Sequence, residues 1–161
     1  MKGNEIMVSS EPRGRFVEGI IGSGLTPKPG TIMQIDYTVA LKGGRWTWKL
    51  YDRAADGDRP KGPIIVLTEA HLKGGTSSDA YAEGDRAFGY IPLAGDELNV
   101  RLKDIAGTGD DHTIGEVLII DDGTGLLIAT TGSPQSEPFT LQETVTDPTA
   151  DTLAWCVYTG Y

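Results

Sequence analysis

The sequence predicts a mainly β protein, a small compact β-barrel or sandwich preceded by a flexible N-terminal arm. Three observations carry that prediction. Glycine supplies 22 of 161 residues, roughly twice the usual share, and nine prolines accompany it. Apolar residues recur at period two in short runs bounded by turn residues, as half-buried strands require. Helix signals are poor, and only Thr68 to Lys73 has the composition of a short helical turn. Hydrophobic residues make up 39% and charged residues 23%, which excludes disorder over the whole length.

Residues 1–15 are polar, carry Pro12 and Gly14 and show no sustained periodicity, so they read as the arm; residues 16–161 form the single β-rich domain. Phe16 to Gly22 is a first strand or a continuation of the arm, and Pro27, Pro29 and Gly30 end it. Thr31 to Tyr37 alternates. Lys42-Gly43-Gly44 turns the chain into Trp46–Tyr51, where Trp46, Trp48 and Leu50 share one face. Asp52–Pro63 is a polar loop leading to the apolar run Ile64–Leu67. Lys73–Asp85 is a second polar gap.

Ala87–Pro92 and the clear alternation Leu98–Leu102 are the next strands, and a division into two subdomains fits between them, near Pro92–Gly95. Glu116–Ile120 and Leu126–Thr130 flank Asp121-Asp122-Gly123-Thr124-Gly125, a strong hairpin signal. Pro134–Pro138 breaks the chain, and Leu153–Tyr158 is the last strand. Eight or nine short strands at this spacing indicate a sandwich or barrel. No internal repeat of fixed period is visible.

Charge narrows the function classes. With 23 Asp and Glu against 14 Lys and Arg, the formal net charge is −9, and no cluster of cations is present to neutralise phosphates. Nucleic acid and anionic lipid are therefore poor partners. No apolar stretch approaches the length of a bilayer span, and the N-terminus lacks the apolar core of a secretory signal, which points to synthesis in a cytoplasm.

Catalytic and metal-binding patterns are weak throughout. The single cysteine, Cys156, sits in an apolar run and reads as a small buried hydrophobe. His71 and His112 stand in no metal-ligand spacing, and His112 in a glycine-rich loop reads as an exposed histidine. Asp56-Gly57-Asp58 and Asp121-Asp122-Gly123 lack the twelve-residue calcium loop and are better explained as turns. Gly19 to Gly24 fits neither phosphate-binding fingerprint. Asp96-Glu97 reads as a turn leading into a strand. The expectation is a protein that is not an enzyme and that uses no cofactor and no metal.

Specific phrases then carry a resemblance. Pro29 to Asp36, Gly44-Arg45-Trp46-Thr47-Trp48, Tyr51-Asp52 with Asp56-Gly57, Ala82 to Phe88, Gly95 to Leu98 and Gly115 to Leu118 together resemble the head decoration proteins of tailed bacteriophages, also called capsid cement or head-stabilisation proteins. The resemblance covers most of residues 16–161. It implies a β-rich virion structural protein, a homotrimer, that binds the major capsid protein on the outer surface of an expanded icosahedral shell and stabilises it. It also implies an N-terminal arm that orders on the capsid. On that reading Ile6, Met7 and Val8 of the arm are docking contacts, and Arg13 and Arg15 pair with acidic capsid groups. The alternative expectation is a carbohydrate-binding or host-adhesion module on the virion surface that stacks sugars on Trp46, Trp48 or Tyr90.

Overall fold

A computed structural model describes residues 5–8, 12–52, 62–70, 75–103, 111–129, 139–148 and 152–160. The described residues are all β, with no helix. Strands β1 (Arg15–Ile21), β2 (Ile32–Ile35), β3 (Thr47–Leu50), β4 (Ile65–Leu67) and β5 (Arg86–Ile91) close a barrel in the order β1-β3-β2-β4-β5. Strands β6 (Glu97–Arg101), β7 (Val117–Ile120), β8 (Leu127–Ala129), β9 (Phe139–Leu141) and β10 (Leu153–Tyr158) form a second sheet in the order β6-β10-β9-β7-β8. The chain changes sheet at the Pro92–Gly95 turn. Three of the segments read from sequence contain β7, β8 and β10; β9, a three-residue strand directly after Pro138, carries no sequence signal of its own.

Alternation sorts the barrel residues into an inside and an outside. Ile21, Met33, Trp48, Ile65, Leu67 and Ala87 fill the interior. The Trp48 indole occupies the space in which a Cβ on Gly19 would stand, and its outer edge lies 3.2 Å from the Cβ position of Gly89. Barrel closure around so large a ring therefore depends on two facing glycines. The outward residues Ile32, Val66 and Tyr90, with Ile64 and Tyr51, join a larger core with Leu98, Val100, Leu118, Leu127, Phe139 and Cys156 of the second sheet. That shared core packs the two sheets together.

The second sheet repeats the barrel strand for strand. Antiparallel β1–β5, β5–β4, β4–β2 and β2–β3 correspond to antiparallel β6–β10, β10–β9, β9–β7 and β7–β8. The parallel closure Ile21↔Trp48 has its counterpart in the parallel bridge Leu102↔Leu127. Individual hydrogen bonds also match. Gly30 N–H donates to the Leu67 carbonyl (2.8 Å) and Leu67 N–H to the Thr31 carbonyl (3.0 Å); Gly115 N–H donates to the Leu141 carbonyl (2.8 Å) and Leu141 N–H to the Glu116 carbonyl (2.9 Å). Gly30 and Gly115 share a left-handed backbone, φ 88° and 86°. Thr68 N–H to Phe88 carbonyl corresponds to Gln142 N–H to Trp155 carbonyl. The protein is thus a tandem repeat of one five-stranded topology.

The N-terminal segment differs from a free arm. Met7 pairs with Leu98 in an antiparallel bridge, Val8 N–H donates to the Glu97 carbonyl (3.1 Å), and Asn99 N–H donates to the Ile6 carbonyl (2.8 Å). Residues 5–8 thereby extend the sheet beyond the edge of β6. Ile6 is 0% exposed in the shared core, because the β6 edge offers unpaired backbone groups beside an apolar cavity that Ile6 fills. Arg15 already belongs to β1. Residues 1–4 and 9–11 of the expected arm lie outside the described residues.

Candidate functional site

Two surface regions concentrate groups suited to binding. Among the described residues the exposed large apolar side chains are Phe16, Tyr37, Leu41, Trp46, Leu93 and Ile114. Their clustering follows from the strand topology.

The first region lies at the start of β1. Asp96, fully buried in the β5–β6 turn, accepts hydrogen bonds from the Arg13 N–H (2.8 Å), the Gly14 N–H (3.1 Å), the Leu93 N–H (2.8 Å) and the Tyr90 hydroxyl (2.7 Å). Burial works against ionisation of its carboxyl, but these donors together outweigh burial and hold it below the ordinary aspartate range. Burial, with the adjacent Asp96 carboxylate, pushes the Tyr90 phenol upward. The clamp fixes residues 12–15 against the body. Arg13, Arg15 and Leu93 are exposed there, and Phe16, 63% exposed, is stacked on Tyr90 at 5.1 Å.

The second region is the β2–β3 hairpin, residues 36–47. Gly43 and Gly44, both at positive φ, turn the tip, where Lys42 and Arg45 exchange backbone hydrogen bonds. Tyr37 and Trp46 meet edge to face at 5.4 Å, and Leu41 is exposed beside the tip. Arg45 and Arg86 converge on Glu18, with Arg45 Nε 3.1 Å from Glu18 Oε2. Hydrogen bonds from Arg86 first, then Arg45, lower the Glu18 carboxyl below its usual range. Two open cavities, of about 350 and 410 Å³, share Leu25 and Leu50 as walls and reach the β7–β8 turn, the first at Thr124 and Leu126 and the second at Gly123.

The remaining candidates resolve as structural groups. His112 is buried rather than exposed: its backbone pairs with Val145 and its Nδ1 lies 3.0 Å from Glu116 Oε2. The glycine-rich composition of its loop concealed this pairing across the sheet. Cys156 is buried, and desolvation pushes its thiol upward, away from reactivity. Asp121 caps its turn by accepting from the Thr124 hydroxyl (2.6 Å) and pairs with Lys103 (2.8 Å). No group of three or more His, Cys, Asp or Glu side chains among the described residues is placed to hold a metal ion. His71 and Asp56-Gly57-Asp58 lie outside the described residues.

Of the three rings considered for sugar stacking, Trp48 and Tyr90 are buried and Trp46 alone is exposed, at 39%. Of the docking residues read from sequence, Arg13 and Arg15 are exposed, Met7 and Val8 are half-buried, and Ile6 is enclosed. Phe16 and Leu93, which flank the Asp96 clamp, carry no signal in the sequence; the β1–β5 pairing sets Phe16 on Tyr90, and the Leu93 N–H binds Asp96. No protein-family model matches the chain, and no curated protein matches it.

Proposed function

We propose that the protein is a virion structural module that binds the outer surface of an expanded icosahedral bacteriophage capsid and stabilises it, with the major capsid protein as its partner. The observation that carries this reading is the surface around the Asp96 clamp. There Arg13 and Leu93 are exposed beside the Asp96 carboxylate that their backbone N–H groups bind, Arg15 is exposed at the start of β1, and Phe16 is exposed over Tyr90, on a protein whose net charge is −9. A cationic, apolar patch on an acidic body selects an acidic, partly apolar partner surface and disfavours non-specific adhesion. Docking thus rests on Arg13, Arg15, Phe16 and Leu93, while Ile6 serves the core.

Co-sedimentation with expanded undecorated capsids tests it, with unexpanded procapsids as the control. Saturable binding to expanded shells alone is the expected result. Phe16→Asp combined with Arg15→Glu should cost about 2 kcal/mol per site, a roughly 30-fold loss of affinity. No binding to either shell would discard the reading.

One observation favours a second reading, a glycan-binding module on the virion surface. Trp46 and Tyr37 form an exposed aromatic pair on the β2–β3 hairpin. A change in tryptophan fluorescence on titration with glycans, abolished in Trp46→Ala, is its signature.

A further inference from the structure

Arg101, in β6, is 3% exposed and lines the cavity of about 350 Å³ beside the β7–β8 turn. Burying a guanidinium costs desolvation free energy, which hydrogen bonds offset only in part. Its Nε donates to the Pro29 carbonyl (2.8 Å) and its Nη2 to the Ser77 carbonyl. Carbonyls carry no net charge, so these two bonds orient the guanidinium without neutralising it. The tandem repeat shows that the strand does not require the charge. Ile21 and Leu102 occupy equivalent closure positions, so the barrel has Ile20 where the second sheet has Arg101.

The rest of the cavity suits an anion with an apolar body. Lys28, half-buried on the loop before β2, adds a second cation, and Thr26 and Thr31 add hydroxyl-bearing side chains. Leu25, Leu50 and Leu126 supply apolar surface. No Asp or Glu stands among the described residues that line it, on a chain that carries 23 of them. Asp121 and Glu83 bond to lining residues from outside. Asp121 accepts from the Thr124 hydroxyl (2.6 Å) and is paired with Lys103 (2.8 Å). Glu83 accepts from the Gly24 N–H (2.8 Å) at an exposed position, where water and salt screen it far more than they screen Arg101. The volume lies in the range of small-molecule sites, which combine apolar walls with a few fixed polar groups.

We propose that this cavity binds a small organic oxyanion, a carboxylate or a phosphate monoester, with its charged head toward Arg101 and Lys28 and its apolar body on Leu25, Leu50 and Leu126. Arginine suits such a head because its planar fork matches two oxygens of a carboxylate or phosphate. The site shares no residue with the Asp96 clamp or with the hairpin 36–47, so it is independent of the capsid and glycan readings. Its walls come from both sheets, Leu50 in β3 and Arg101 in β6, so a bound ligand also ties the two together. Ligand should therefore raise the unfolding temperature in proportion to occupancy.

Titration of the full chain with phenyl phosphate, benzoate and neutral benzamide, followed by amide NMR, tests the proposal. At least one anion should bind with a dissociation constant on the order of 1 mM, and benzamide roughly 10-fold more weakly. The perturbed amides should centre on residues 24–31, Arg101 and residues 124–126. A preference for phenyl phosphate assigns the head to a phosphate monoester, and a preference for benzoate assigns it to a carboxylic acid. Thr26→Glu and Lys28→Glu change loop side chains outside the strands; each should lower anion affinity by roughly 10-fold and leave benzamide binding unchanged. Arg101→Met should abolish anion binding, and the loop variants keep the test decisive should loss of Arg101 unfold the chain. Four results would each overturn the proposal: binding of neither anion, equal affinity for benzamide, perturbations centred on Arg13, Arg15 or Arg45, and loop variants that bind as wild type does.

Discussion

Trp48 sits inside the barrel only because Gly19 and Gly89 face it. Adding one methyl at Gly89 places a Cβ against Ile65 Cγ2 and within 3.2 Å of the indole. Gly89→Ala should therefore destabilise the fold by about 1–3 kcal/mol through overpacking, measured by denaturant unfolding followed by tryptophan fluorescence. Asp96 presents an electrostatic case. Its carboxyl is depressed in the folded state, so its contribution is complete above the ordinary aspartate pKa of roughly 4 and is lost as pH falls through the folded value. Asp96→Asn leaves four donors with a weaker acceptor and should cost about 1–3 kcal/mol at neutral pH. The gap between variant and wild type should narrow as pH is lowered below about 4. A gap independent of pH would assign the effect to packing instead.

At the scale of elements, legibility followed the range of the signal. Leu98–Leu102, the hairpin around Asp121–Gly125 and Leu153–Tyr158 are readable because alternation and turn residues lie next to each other in sequence. The repeat is not readable, because equivalent positions conserve filled volume rather than identity. Gly19, Gly89 and the large Trp48 of the barrel correspond to Val100, Cys156 and Leu127 of the second sheet. The Asp96 clamp joins the β5–β6 turn to backbone more than eighty residues earlier, and Trp46 falls in a period-two run yet precedes its strand. The N-terminal segment shows the same limit: an apolar triplet in a polar tail does not reveal whether the chain itself or a partner buries it. Ile6→Ala decides that point. A free arm predicts no change in stability, whereas the enclosed Ile6 predicts a loss of about 2–5 kcal/mol, measured by denaturant unfolding.

At the scale of the whole molecule, the two exposed regions occupy different parts of the repeat and need not serve the same partner. Arg13, Arg15, Phe16 and Leu93 gather at the β5–β6 turn, whereas Tyr37, Leu41 and Trp46 project from the β2–β3 hairpin. If the first set grips a lattice and the second binds glycan, the two functions separate by mutation. Phe16→Asp should lower capsid affinity by roughly 10-fold while leaving the glycan-induced fluorescence change intact. Trp46→Ala should abolish that fluorescence change while leaving capsid sedimentation unchanged. Rising salt should weaken the capsid contact, because it pairs Arg13 and Arg15 with carboxylates across a solvated rim. Parallel binding curves for wild type and the two variants, at low and physiological salt, check all three expectations. Equal losses of capsid and glycan binding in both variants would mean that a single surface serves both ends.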